Sequence, residues 1–120
     1  MSGPAEEIRA AVRRYAREQL APHAARWDRE QTFPREALAG LAAMGLYGVA
    51  IPEKWGGAGL DATAMAVACE EIAAGDCATA TIVAVNNLVA GILDGYGSEA
   101  QKTKYPVSYT HLTLPTNREV

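Results

Sequence analysis

The sequence predicts an all-α fold: an orthogonal up-down bundle of about five helices with one glycine-rich connection. Three observations carry that expectation. Apolar residues recur with a 3.6-residue period through most of residues 5–100. Alanine, the best helix former, occurs 24 times in the first hundred residues. Capping and stop residues separate the periodic runs at helix-length intervals. The one candidate extended segment, "YGVAIP" at residues 47–52, cannot make a sheet alone. With 120 residues, 49% of them apolar, the chain can build one modest domain with a real core.

The first helix is expected over residues 5–29, with Ile8, Val12, Tyr15 and Gln19/Leu20 on one stripe and Trp27 closing its second part. Pro22 lacks an N–H and clashes one turn back, which predicts a kink or break near Leu20. Phe33-Pro34 opens the second helix, where Leu38, Leu41 and Met44 form the buried stripe and Gly45 the terminator. Asp61 caps the third, with Met65, Cys69 and Ile72 on one face and Gly75 at its end. Asp76 caps the fourth. Its apolar positions Ile82, Val85, Leu88, Val89, Ile92 and Leu93 cover most of the circumference, so it is expected to be surrounded by other helices. Asn86 and Asn87 lie within this apolar run and need hydrogen-bond partners, either in a cleft or on neighbouring loops. Gly95 and Gly97 stop it, and Ser98 with Gln101 makes a capping box for a fifth helix.

Charge and composition exclude several function classes. The net charge is -3, and no Lys or Arg occurs between Lys54 and Lys102, so no phosphate-tracking groove and no nucleic-acid partner are expected. Cys69 and Cys77 form neither a C-x-x-C pair nor a disulfide framework and read as buried small apolar residues. His111 has no carboxylate or cysteine at ligand spacing, so no metal site is expected. The N-terminus has no apolar leader run, and Glu6, Glu7 and Glu18 argue against a transit peptide. The expected location is the cytoplasm, with no membrane span.

Gly57, Gly59 and Ala62 fit a loose G-x-G-x-x-A spacing. A dinucleotide fingerprint also needs a second strand carrying an acid about twenty residues on. Asp76 stands near that distance but precedes a helical pattern. Gly56, Gly57 and Gly59 are better read as permitting a tight, left-handed path between two packed helices.

The order of signals is more specific than any one of them. Leu20 to Pro22, Trp27-Asp28, Phe33-Pro34, Gly45-Leu46 and "PEKWGGAG" at residues 52–59 follow one another. Glu70-Glu71-Ile72-Ala73, Asp76 and "GSEAQKTKY" at residues 97–105 come next. This succession resembles the N-terminal α-helical domain of acyl-CoA dehydrogenases over residues 5–105. The resemblance implies a parent enzyme that uses FAD to convert an acyl-CoA to its trans-2-enoyl-CoA. A glutamate base takes the α proton and electrons pass to electron-transfer flavoprotein. The parent is implied to be a homo-oligomer, dimer or tetramer.

In that family the base comes from the C-terminal domain and most flavin contacts from the middle and C-terminal domains. No catalytic or cofactor-binding residue is therefore assigned here, and the chain itself is expected neither to bind FAD nor to be active. What the N-terminal domain contributes is a wall of the acyl pocket on the fourth helix, here Val85, Leu88, Val89 and Ile92. Glu70 and Glu71 point about 100° apart on a helix and are not expected to share a site; one of them is expected against Tyr or backbone donors. Trp27 and Trp55 read as packing anchors.

Residues 1–105 are expected to form the family domain, with its fifth helix truncated. Residues 106–120 depart from it: the last twenty residues hold no alanine and four threonines, and Pro106 ends helix propensity. That tail resembles the translation of a sequencing adapter. Two alternatives remain beside the dehydrogenase reading. One is a self-standing helical interaction module without catalysis. The other is a piece of a related flavin-dependent monooxygenase or oxidase.

Overall fold

The computed structural model describes residues 3–102. Helix α1 (Pro4–Tyr15) runs through a π-turn (Ala16–Leu20) into α2 (Ala21–Glu30); α3 (Arg35–Ala43), a 3-10 turn (Glu53–Trp55), α4 (Ala62–Gly75) and α5 (Cys77–Tyr96) follow. Residues 99–102 begin one further helical turn. The architecture is an all-α orthogonal bundle with no strand among the described residues. Residues 47–52 are turns rather than an extended segment.

Pro22 neither breaks the first helix nor leaves it regular. The chain widens by one residue just before it, with the Ala21 N–H reaching back to the Ala16 carbonyl. A π-turn of this kind absorbs the missing donor and the ring clash while the helix continues. It also brings Ala16 and Leu20 against α4, close enough that a Cβ on Gly75 would lie 2.9 Å from Ala16 Cβ.

The terminators work as the sequence implies. The α3 helix ends with the Leu46 N–H on the Leu41 carbonyl and the Gly45 N–H on that of Ala42, with Gly45 at φ 80°. Asp61 accepts from the Ala64 N–H and Asp76 from the Thr79 N–H. Ser98 and Gln101 satisfy each other's backbone N–H groups.

The core joins Val12, Leu20, Leu38, Leu41, Leu46, Val49, Ile72 and Val83. Three expectations of burial fail at their edges. Met44 follows the last turn of α3 and is exposed. Cys77 is the first residue of α5 and is exposed, while Cys69 is half-buried. The inward face of α4 carries Ala64, Val67, Ala68, Glu71 and Ile72, so of the expected Met65–Cys69–Ile72 face only Ile72 is fully inside.

The bundle is a slab whose shortest dimension is 18 Å. That is about two helix diameters, so no helix in it can be surrounded. The α5 helix therefore keeps one side covered and one side open, against the expectation of all-round burial.

Glu71 fastens the two layers. It is buried at 6% exposure and accepts a fork from Arg13 (Nε to Oε1 3.0 Å, Nη2 to Oε2 2.8 Å). Arg9 Nη1 donates to Glu71 Oε2 at 2.5 Å and to Glu70 Oε1 at 2.7 Å. The two glutamates thus do share a site, because the long arginine side chain spans the angle between adjacent helical positions. The partners are guanidinium groups, not Tyr or backbone donors. Hydrogen bonds from Arg13, then Arg9, hold the Glu71 carboxyl below the usual carboxylate range.

Candidate functional site

The open side of α5 is apolar. Val85, Leu88, Ile92 and Tyr96 are 52%, 61%, 51% and 89% exposed, and Val89 is half-buried. Spacings of three and four residues align Val85, Leu88 and Ile92 on one stripe. No other run of large apolar side chains in the described residues is exposed so continuously. Three of the four expected wall residues, Val85, Leu88 and Ile92, are exposed on one surface, and the fourth, Val89, stands half-buried beside them at helical spacing from Val85 and Ile92.

The helix has 20 residues and is long and apolar enough to cross a membrane by length and composition alone. Its inner side is built differently. Thr79, Ala80, Val83 and Ala90 are buried, and two amides clamp the loop that follows α3. Asn87 Nδ2 donates to the carbonyls of Leu46 (2.8 Å) and Val83 (2.9 Å), and its Oδ1 accepts from the Val49 N–H (2.9 Å). Asn86 Nδ2 donates to the Tyr47 carbonyl at 2.9 Å. The loop brings its own large side chain inside with it: the Tyr47 phenol is pushed up to about 12 by burial, with the nearby Tyr15 adding to the shift.

Between α4, α5 and this loop lies a hollow of about 260 Å³. Ala50, Ile51, Met65, Ala84, Leu88 and Gly91 supply its apolar lining, and Asn87 and Asp94 its polar atoms. Of these, the sequence reading named Leu88 as a wall residue and offered Asn87 as a cleft residue, and it missed the rest. The signal was present: Ala84, Leu88 and Gly91 repeat at helical spacing, and two of the three are small.

The glycine-rich loop is no dinucleotide cradle. Gly56 (φ 92°) and Gly59 (φ 69°) take the left-handed path expected of them. A Cβ on Gly57 would lie 2.2 Å from the Ile51 carbonyl oxygen, so its bare side faces the protein's own backbone. The described residues hold no cluster of three or more His, Cys, Asp or Glu suited to a metal. Trp27 stacks at 5.5 Å on His23 and packs on the core, and Trp55 lies under the ammonium groups of Lys54 and Lys102.

The N-terminal domain model of acyl-CoA dehydrogenases matches residues 4–109. The chain belongs to this family. It is 39% identical over 99 residues to human mitochondrial short-chain specific acyl-CoA dehydrogenase, covering 82% of this chain and 24% of that one. It is 34% identical over 91 residues to mitochondrial isobutyryl-CoA dehydrogenase of Dictyostelium discoideum, covering 76% and 22%. Among solved structures, a glutaryl-coenzyme A dehydrogenase in complex with glutaryl-CoA superposes with a TM-score of 0.87 at 33% identity, over 92% of this chain and 29% of that one. The chain spans about a quarter of the length of the curated relatives it matches.

These relatives overturn the cytoplasmic location read from the sequence, since the eukaryotic ones are mitochondrial. The reasoning failed for a physical cause. Lack of an apolar leader bears on secretion, whereas mitochondrial import reads an amphipathic, Arg-rich segment. Glu6 and Glu7, counted against such a segment, lie in the first turn of α1, where acids stabilise the helix terminus.

Proposed function

We propose that the chain is the N-terminal helical domain of an FAD-dependent acyl-CoA dehydrogenase and that the open face of α5 is one wall of its acyl site. The observation that carries this is the exposed stripe Val85, Leu88 and Ile92 on a helix of a family member. An exposed apolar stripe costs solubility and is retained where something apolar covers it. The residues of this chain orient and exclude water: they give the alkyl part of a thioester an uncharged surface and no competing hydrogen bond. The flavin supplies the redox chemistry when bound to the whole protein. By resemblance, its contacts and the glutamate base come from domains beyond residues 1–105. Residues 106–120 stand outside the domain in this reading. The whole protein is a homo-oligomer that passes electrons to electron-transfer flavoprotein.

The test is Leu88→Phe in the complete protein, with kcat/KM measured across short, medium and long acyl-CoAs. Leu88 is 61% exposed, so a larger ring there does not overpack the core. A wall residue tilts preference toward shorter chains, by about 1–3 kcal/mol for each methylene position lost, while the melting temperature holds. A uniform loss on all substrates removes Leu88 from the wall. Val89→Phe is the contrasting variant. Val89 is half-buried, and overpacking there costs stability by about 1–3 kcal/mol.

A further inference from the structure

The open arc of α5 has an internal order beyond being apolar. Along it a small residue stands directly before a large one: Ala84 before Val85, Gly91 before Ile92 and Gly95 before Tyr96. Successive helical positions lie about 100° apart, so the small residues form one edge of the arc and the large ones the other. Thr81 and Leu88, seven residues apart, run between the two edges. All of these are exposed except half-buried Ala84. A Cβ added at Gly91 or Gly95 meets nothing within 4 Å. Glycine inside a helix is unfavourable, and these two gain nothing from packing within the chain. Their effect is a low edge along which another backbone can come close.

A face with a high edge and a low edge is complementary to a copy of itself. Under a two-fold axis parallel to the helices, the high edge of one copy lies on the low edge of the other. Val85 then meets the partner's Ala84, Ile92 the partner's Gly91 and Tyr96 the partner's Gly95, large against small at each step. Leu88 meets its own counterpart on the axis. An antiparallel pair would set high edge against high edge and leave a gap between the low ones.

Charge and area agree with such a pair. No charged side chain occurs between Asp76 and Asp94, so closing the seam strips no ion of its water. Asp94 lies with Gly91 in the lining of the hollow, on the side of the low edge, so the axis puts the two carboxylates on opposite sides of the seam. Val85, Leu88, Ile92 and Tyr96 leave roughly 500 Å² open between them, and pairing two such faces removes on the order of 1,000 Å², the lower end of what a specific interface buries.

We propose that a second copy of this chain covers the open arc, in a parallel, two-fold symmetric α5–α5 pair centred on Leu88. The pairing does not rest on the reading of α5 as an acyl wall. It states what covers this face where the chain meets only itself, and it is distinct from the oligomer of the whole protein.

The experiment is sedimentation equilibrium of the full 120-residue chain up to about 200 μM, where a pair with a micromolar Kd is largely formed. A mass that saturates at twice 12.7 kDa is expected. Leu88→Lys puts an ammonium on the axis, and Gly91→Leu fills the slot for the partner's Ile92. Each is expected to weaken pairing at least tenfold while the far-UV circular dichroism of the parent is kept, since both positions are exposed. Orientation is read by disulfide trapping in a Cys69→Ala, Cys77→Ala background. Thr81→Cys and Gly95→Cys variants are mixed and treated with diamide, which takes up the two thiol hydrogens as the S–S bond forms. A parallel pair links each variant to itself. A chain that stays monomeric over this range overturns the pairing and leaves the arc to a surface of another kind. A mass that climbs without saturating, or pairing unmoved by either substitution, places the contact elsewhere and overturns it too. Links chiefly between positions 81 and 95 overturn the parallel arrangement.

Discussion

Removing the Asn87 amide separates its structural work from the shape of α5. In Asn87→Ala the Val49 N–H loses its acceptor at 2.9 Å and the Leu46 carbonyl its donor at 2.8 Å. Both residues are buried, at 0% and 1% exposure. Each buried group left without a partner costs about 1–3 kcal/mol, against a small gain from alanine's helix propensity. The expected loss is about 3 kcal/mol, or roughly 15 °C in Tm for a domain of this size. The substitution Asn87→Asp sharpens the test. A carboxylate still accepts from the Val49 N–H but sets an oxygen against the Leu46 and Val83 carbonyls. It is expected to be at least as damaging as alanine at neutral pH and to recover as the pH falls, because the protonated acid regains one donor. Urea unfolding of the 120-residue chain followed by far-UV circular dichroism measures both. An alanine variant within about 0.5 kcal/mol of the parent, or an aspartate variant equal to it at neutral pH, would refute the clamp.

Two further outcomes are expected. Gly40→Ala puts a Cβ 2.1 Å from the Tyr15 hydroxyl, which donates to the Ala37 carbonyl at 2.7 Å; expelling the ring should cost about 2 kcal/mol in urea unfolding, and a neutral result removes Tyr15 from the α1–α3 contact. Glu71 has its folded pKa depressed by Arg13 and Arg9, so its contribution is present above the unfolded carboxylate pKa and is lost as the pH falls through the folded one. Stability measured from neutral pH down into acid should therefore fall less steeply in Glu71→Gln than in the parent, and parallel curves refute the linkage.

The sequence made the fold legible where a residue acts on its own neighbours. Gly45, Asp61, Asp76, Ser98 and Gln101 act within three to five positions of themselves, and each terminates or caps as its type requires. The Pro22 signal was local too, but the chain had two responses to it, a kink or a π-turn, and packing of Ala16 and Leu20 against α4 selects between them. Burial was harder to read. The inward stripe of α4 contains alanines, which mark both faces, and Glu71, which marks the wrong one until its arginines 58 and 62 residues away are known. The all-round apolar pattern of α5 was legible as composition. Which arc stays open depends on the thickness of the slab, and no local window contains that.

The two sides of α5 and α4 do different chemistry, and the charge pattern keeps them apart. Between residues 9 and 35 the chain carries seven arginines, and two of them end on Glu70 and Glu71. That inner seam tolerates charge because every charge in it is matched across α1 and α4. The outer arc of α5 has no basic residue on it or near it in sequence, and its acids, Asp76 and Asp94, stand at the N-terminus and toward the C-terminal end. An uncharged central arc makes no ion pair with any covering surface, so it does not dictate the charge of what lies on it; a lysine at Val85 or Leu88 would. Asn87 sits where the two regions meet. It holds the loop that carries Val49 and Ile51, and Ile51 with Asn87 lines the hollow. Stability and the shape of the hollow are therefore coupled through one amide, whereas Leu88 and Gly91 are exposed and can change the hollow's volume without touching the core.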